Sequence, residues 1–355
     1  ADVKLYGKVH MSVDWVNPGD KGTLTNDGSS RKGTHVSSNA SRWGIDVSEK
    51  LGGGMTAIAK LEQTIMADGE TSDQATRNRY VGMKGKFGTV LAGVHDTPFK
   101  DVGRSVDLFP EYVGDNRNIM SGAGANDNST LGWDQRAANS VMYVTPSWNG
   151  FSASYLWSAD QQANTATEDN RQKLWSLGLK YASGPLAVAY AREEHQSPNS
   201  GQRASEERET GQRLAASYNF GAFKLVGLWQ SLSDLGGKTI GDADSITRTS
   251  WGLGGAYTAG NNVFKAQYYK ANAKNKSSPT SGADGTDTGA KMWALGWDHL
   301  FSKTVKAYVA YAKTDNDANS TFMVNGPSAG IHSDFVAPTV GNDPQVWSVG
   351  MIVDF

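Results

Sequence analysis

The chain closes on a beat of two. Trp347, Val349, Met351, Val353 and Phe355 take alternate places, with Ser348, Gly350 and Asp354 between them and Ile352 the one apolar exception. The opening segment does the same: Val3, Leu5, Val9, Met11, Val13 and Trp15 alternate with Lys4, Tyr6, Lys8, His10, Ser12 and Asp14. A period of two puts successive side chains on opposite faces of a strand, one apolar and one polar. Both ends therefore read as strands of one sheet. If that sheet closes on itself, the two strands pair, Ala1 comes near Phe355, and the terminal charges attract.

Strand-like segments of about ten residues recur between the ends, and their connections alternate in length. The second strand is expected around Ser38–Val47, turning at Glu49–Gly54 into a third at Thr56–Ile65; a fourth at Arg79–Gly85 turns at Lys86–Gly88 into Thr89–His95. Further short turns fall at Pro146–Gly150, Ser183–Pro185, Asn219–Ala222, Ala259–Asn262 and Phe301–Lys303. Long polar stretches fall at Asn17–Thr34, Ala67–Arg77, Asp160–Asn170, Gln196–Glu207, Ser233–Ile246, Ala273–Gly289 and Thr314–Pro344. The count comes to roughly sixteen strands, an even number that suits an all-β, antiparallel up-and-down transmembrane barrel. In such a barrel the short turns face the periplasm and the long loops face outside. The competing soluble sandwich or propeller would need a buried core, and no repeat of ~40–50 residues marks propeller blades.

Composition agrees. A length of 355 residues admits two domains or one large closed sheet, and we read residues 1–355 as a single barrel domain. The apolar runs are six residues at most, such as Leu186–Ala191, far short of the ~18 a spanning helix needs. Mean hydropathy is −0.49, which a barrel tolerates because its strands average an apolar and a polar face. The 11 Trp, 13 Tyr and 11 Phe suit aromatic girdles at two membrane interfaces. A net charge of −2 shows no bias toward nucleic acid. With no cysteine there is neither a disulfide framework nor a thiolate metal site. For an exported barrel, a signal peptide is expected to have been removed before Ala1.

One connection breaks the alternation. From Asp96 to about Gln135 no beat is sustained, and a loop so long is usually functional. In a wide wet barrel it can fold inward and narrow the lumen. It carries Asp101, Asp107, Glu111, Asp115 and Asp127 beside Arg104 and Arg117. Lys8, on the polar face of the first strand, faces the inside, where an unpaired cation is tolerable only if the lumen holds water.

Several segments resemble the general diffusion porins of Gram-negative outer membranes. They are Leu5-Tyr6-Gly7-Lys8, Tyr80-Val81-Gly82-Met83-Lys84-Gly85, Asp96-Thr97-Pro98-Phe99-Lys100, the stretch from Asp107 through Pro110 to Asp115, Asn139-Ser140-Val141-Met142-Tyr143, and the strand ending in Phe355. Their order and spacing together carry the likeness. It implies a 16-stranded barrel assembled as a homotrimer, with the third external loop folded into each pore. It also implies a transverse field at the waist, acidic loop residues opposite basic wall residues. Carried over by position, the loop carboxylates are Asp107 and Glu111, the basic wall is Lys8, Arg42 and Arg136, and Glu62 is a further lumen carboxylate. One position departs: the family's arginine before Asp-Thr-Pro is absent, since Gly93 is followed by Val94 and His95. The basic ladder thus lacks a guanidinium, with only His95 as a substitute, and the inherited ion preference is open. The Phe355 strand is expected to be the signal for membrane insertion.

Other chemistry is not indicated. The six histidines form no zinc-ligand spacing, and there is no phosphate-binding glycine motif. Gly326-Pro327-Ser328-Ala329-Gly330 is a literal GxSxG with His332 and Asp334 behind it, but a nucleophile elbow needs a strand before and a helix after the serine. Asp284–Asp287 and Asp315–Asp317 fit no calcium loop. The expectation is a passive channel for ions and small hydrophilic solutes, without cofactor, metal or catalysis, embedded among membrane lipid and lipopolysaccharide. A substrate-selective channel, a barrel adhesin and a barrel hydrolase are the alternatives. The polar strand faces hold more Lys and Arg than Asp and Glu while the loop is acidic, so the sign of the preference is not decided.

Overall fold

The computed structural model describes residues 1–19, 32–69, 76–121, 132–160, 171–196, 207–239, 246–276, 286–326, 332–334 and 338–355. In chain order the strands are β1 (Asp2–Asn17), β2 (Gly33–Ser38), β3 (Arg42–Gly52), β4 (Met55–Thr64), β5 (Thr76–Gly85), β6 (Gly88–Asp96), β7 (Arg136–Val144), β8 (Phe151–Ser158) and β9 (Lys173–Ser183). They continue as β10 (Leu186–Gln196), β11 (Glu207–Phe220), β12 (Phe223–Thr239), β13 (Ile246–Ala259), β14 (Asn262–Ala271), β15 (Asn275–Lys276), β16 (Ala290–Leu300), β17 (Val305–Asn316) and β18 (Gln345–Asp354). Two short helices, α1 (Pro98–Arg104) and α2 (Arg117–Met120), lie between β6 and β7. β2 and β3 both pair with β1 and form one broken stave, and β15 is a two-residue pairing on β13. The eighteen strands thus make sixteen staves plus one rim pairing.

Every pairing is antiparallel, and the circuit closes between β1 and β18 from Lys8↔Asp354 to Asn17↔Gln345. Closure removes the open edges that a membrane cannot accommodate. The expected meeting of the chain ends needs correction. Phe355 exchanges backbone hydrogen bonds with Gly7, at 2.9 and 3.0 Å, while the Ala1 ammonium pairs with Glu49. The register is offset, so Ala1 runs on beside β3, where Asp2 faces Ser48. Two further differences concern extent: β12 continues to Thr239 into a stretch read as loop, and the second expected strand is interrupted at residues 39–41.

The alternation that predicted the strands is inverted relative to a soluble protein. Leu5 is 60% exposed, Leu61 60%, Val81 62% and Leu253 60%, whereas His10, Asp14, Glu209 and Arg213 are at 0%. Apolar side chains face out and polar ones face in, the arrangement of a lipid-facing barrel. The exposed row Trp347, Val349, Met351, Val353, Phe355 is the outer face of the last stave.

Glycines let bulky inward side chains lie flat on the wall. Tyr269, fully buried, lies across Gly252, where an added Cβ would meet its ring at 2.2 Å. Its hydroxyl accepts from the Asn116 amide at 3.3 Å, which ties the ring to the inward loop. Gly252→Val is therefore expected to cost about 1–3 kcal/mol by overpacking, read as a lower denaturation midpoint of the purified barrel. An unchanged midpoint would mean that the ring relocates freely.

Candidate functional site

The long connection after β6 folds inward and packs on the wall. Thr97 caps α1, its hydroxyl accepting from the Lys100 N–H at 3.2 Å, with Pro98 in the first turn. α1 lies against β8–β11, and α2 lies near β14 and β16. Phe99, Phe109 and Trp133 from this connection are fully buried. Alternation could not foresee the helices, because seven and four residues are too few to show a helical period.

Arg213 on β11 fastens the loop. Its guanidinium donates to the carbonyls of Phe99 at 3.1 Å and Met120 at 2.9 Å, to Asp134 Oδ1 at 2.7 Å, and to Gln230 Oε1 at 2.6 Å, and it lies 4.1 Å from the centre of the Phe99 ring. One wall residue thus holds both limbs of the loop.

The tip of the loop turns at Glu111, whose φ of +68° is unusual for a residue with a side chain. The Glu111 N–H donates to Asp115 Oδ2 at 2.7 Å, and Arg117 clasps Asp115 with Nε at 2.9 Å and Nη2 at 2.5 Å. These bonds aim the Glu111 carboxylate across the lumen at the opposite wall. There Arg42 Nη1 donates to Oε1 at 2.8 Å, Lys8 Nζ lies 3.3 Å from Oε2, and Arg104 of α1 reaches Oε1 at 3.3 Å. Burial would raise the Glu111 carboxyl, but Arg42, Lys8, Arg104 and Arg117 outweigh it and hold it well below the usual carboxylate range.

Of the residues singled out from sequence, Lys8, Arg42 and Glu111 meet directly. Glu62 joins them, 4.0 Å from Arg42 Nε and hydrogen-bonded by the Tyr6 hydroxyl at 2.8 Å. Arg136 stands aside with Asp96, at 3.1 Å, and Asn78, at 3.0 Å. His95 accompanies it, its Nδ1 at 2.7 Å from the Asp96 carbonyl and its ring beside Tyr80. Asp107 does not face the basic wall. Its carboxylate accepts from the Phe109 N–H, the Gln267 amide and the Asn116 N–H at 2.9, 3.0 and 3.2 Å, bracing the turn from within. Burial and the charge of Asp115 push it up to about 7.

Arg77 was missed. It is 7% exposed and donates to Glu62 Oε1 at 2.5 Å. Strict alternation puts Arg77 on the outer face with Val81 and Met83. The register between β4 and β5 shifts between Leu61↔Arg79 and Gln63↔Thr76, so two residues of β5 oppose Glu62. This bulge turns Arg77 inward. A guanidinium thus stands in the ladder after all, supplied by the neighbouring strand rather than by position 94 or 95.

The waist so described holds Lys8, Arg42, Arg77 and Arg104 against Glu62 and Glu111, with Arg136 and Lys100 beside Asp96. Among the described residues no His/Cys/Asp/Glu group has metal-binding geometry. Ser328 of the GxSxG segment, Asp127, Asp284 and Gly285 lie outside the described residues. His332 Nε2 lies 2.8 Å from Asp14, and Ser37 donates to Asp334 at 2.8 Å, so both members of that segment's would-be triad are engaged with β1 and β2.

The sequence profile described as Gram-negative porin matches residues 1–319. Outer membrane porin protein 32 of Delftia acidovorans is 30% identical over 344 residues, 93% of this chain and 89% of that protein. Major outer membrane protein P.IA of Neisseria meningitidis is 26% identical over 395 residues, covering 94% and 95%. Among solved structures, an anion-selective porin from Comamonas acidovorans aligns over 100% of this chain and 99% of its own, with TM-score 0.78 and 26% identity. OmpT of Vibrio cholerae aligns at TM-score 0.70 and 16% identity, a likeness of fold alone.

Proposed function

This chain belongs to the Gram-negative porin family, which makes it an outer-membrane channel for passive diffusion rather than an enzyme, and from that premise we propose that its waist is an anion-favouring constriction. The observation that carries this is the excess of cationic groups: Lys8, Arg42, Arg77 and Arg104 converge on Glu62 and Glu111, with Asp354, 4.0 Å from Lys8, as a third carboxylate. A surplus positive field in a narrow aqueous pore concentrates anions and opposes cations. His95 and Arg136 extend the basic wall toward the outer mouth, and Asp107 serves the constriction by holding the loop tip. The likeness to an anion-selective porin supports the same sign.

Residues 1–355 act on this proposal as one transmembrane domain, and the channel assembles as a homotrimer. The outward faces of β1–β6 support a protein contact, being mostly aliphatic (Val3, Leu5, Leu61, Val81), with few aromatics. Lipopolysaccharide is the neighbour proposed for the remaining outer surface.

The test is the reversal potential of single channels in a potassium chloride gradient. Wild type is expected to favour chloride. Arg77→Gln removes one cation from the waist and is expected to lower the chloride preference about threefold, the effect of one charge at ~6 Å in a water-like dielectric. Cation preference in the wild type would overturn the proposal, and an unmoved Arg77→Gln would remove Arg77 from the constriction.

A further inference from the structure

Outside the barrel, the strands from β12 to β18 carry two aromatic rows. The row nearer the short turns is Tyr257, Phe264 and Trp297, aligned in register. In the row nearer the long loops, ring centres are 5.5 Å apart for Trp251–Tyr268, 5.1 Å for Trp293–Tyr311 and 4.8 Å for Tyr311–Trp347. Between the rows runs an apolar trench of about 820 Å³, bordered by Leu225, Phe264, Trp293 and Leu295. Gly255 and Ala266 face each other in register along it, and their small size supplies its depth.

Just beyond the outer row, Lys270 and Lys291 stand directly opposite each other on β14 and β16. They share the parity of Tyr268 and Trp293 and so face outward. Like charges in directly opposed positions repel. Neither lysine has an ion-pair partner among the described residues. Asp315 is in register with Lys291, but Lys313 takes it at 2.5 Å. Lys270 lies six positions along β14 from Phe264, about 20 Å along a strand, close to the ~25 Å apolar band of such barrels. The lysine pair flanks a long connection, which places it at the outer leaflet.

We propose that this face seats one phosphorylated lipid of the outer leaflet, the lipid A portion of lipopolysaccharide, with a phosphate between Lys270 and Lys291 and an acyl chain over Gly255 and Ala266. The inference rests on the outer-membrane reading above and gives that lipid a specific place. A phosphate between the two ammonium groups converts repulsion into charge-assisted hydrogen bonds. The rings of Trp293 and Tyr311 occupy the depth where headgroup meets chain, the level that Trp and Tyr prefer. The aromatic rows also distinguish this face from the aliphatic β1–β6 side, which suits a second copy of the chain.

The test uses channels purified in lipid-free detergent and verified to conduct. Native mass spectrometry with added bisphosphorylated lipid A, and with the same lipid stripped of both phosphates, reads retention per chain. Wild type is expected to retain the phosphorylated lipid in preference to the stripped one. The K270Q/K291Q double variant is expected to bind it roughly tenfold or more weakly, while Lys303→Gln at a short turn changes nothing. Gly255→Leu, which fills the trench, is expected to weaken both lipids. Equal binding by wild type and the double variant, or equal binding of both lipids, overturns the seat, as does a change of oligomeric state without a change in lipid retention. A wild-type preparation that conducts but retains no lipid sinks only this inference. One that does not conduct sinks the channel reading itself.

Discussion

Replacing Arg213 with alanine is expected to release the inward loop and raise single-channel conductance while the barrel wall persists. The guanidinium is fully buried and makes four hydrogen bonds, to two loop carbonyls, to Asp134 and to Gln230. Alanine leaves a carboxylate buried without its cation, and Asp134 Oδ2 already lacks a partner among the described residues. Breaking a buried pair from one side costs about 3–5 kcal/mol, more than a short packed segment readily absorbs. The ladder from β10 to β12 does not depend on this side chain, since its bonds are backbone to backbone. The loss therefore falls on the loop, and conductance should become larger and noisier. Arg213→Lys is expected to recover only part of the effect, because a single ammonium cannot span four acceptors in a fixed fork. Single-channel recording together with limited proteolysis checks this. Unchanged conductance and unchanged cleavage would show that the loop is seated without Arg213.

Glu111→Gln should shift the reversal potential further toward chloride. Lys8, Arg42 and Arg104 would then lack their shared counter-charge. One charge at ~6 Å in a water-like dielectric is worth about 0.7 kcal/mol, roughly a threefold change in permeability ratio. Salt screens this beyond ~8–10 Å, so the shift should be larger in dilute solution. The pH dependence has a definite sign. A carboxylate whose pKa is depressed on folding contributes stability that is present above its ordinary pKa and lost only as pH falls through the depressed value. Because the Glu111 value is lowered by its cationic neighbours, its ion pairs should survive at pH 4, where a free glutamate is largely protonated. The difference between wild type and Glu111→Gln should therefore persist at pH 4. Its disappearance there would mean that the three cations do not hold the carboxylate charged.

The positions that alternation could place are those in regular ladder. Lys8 has the parity of Tyr6 and His10, and all three side chains bond to inward groups, Lys8 to Glu111, Tyr6 to Glu62 and His10 to Tyr308. Arg42 and Glu62 follow from the same rule, being in register with Lys8 on β1 and with Gly44 on β3 respectively. Arg77 has the wrong parity by that rule, since one extra residue in β5 reverses its face and nothing in its neighbours' chemistry announces the bulge. Asp107 and Glu111 looked alike in sequence, two carboxylates either side of Pro110. Backbone bonding separates them: the turn closes on Asp107, while positive φ at Glu111 throws its side chain across the lumen.

The sequence by itself determined the strands, their approximate number, the apolar outer face and the one connection that departs from the rhythm. All of these follow from local spacing, because side-chain direction in a strand alternates whatever the rest of the chain does. Tertiary structure alone decided the register of closure at Gly7 and Phe355, the inward turn of Arg77, the grip of Arg213 on the loop, and the pairing of Lys270 with Lys291. Each depends on which residue of a distant strand lies opposite, and a one-residue slip would change every such partner without altering the pattern along the chain.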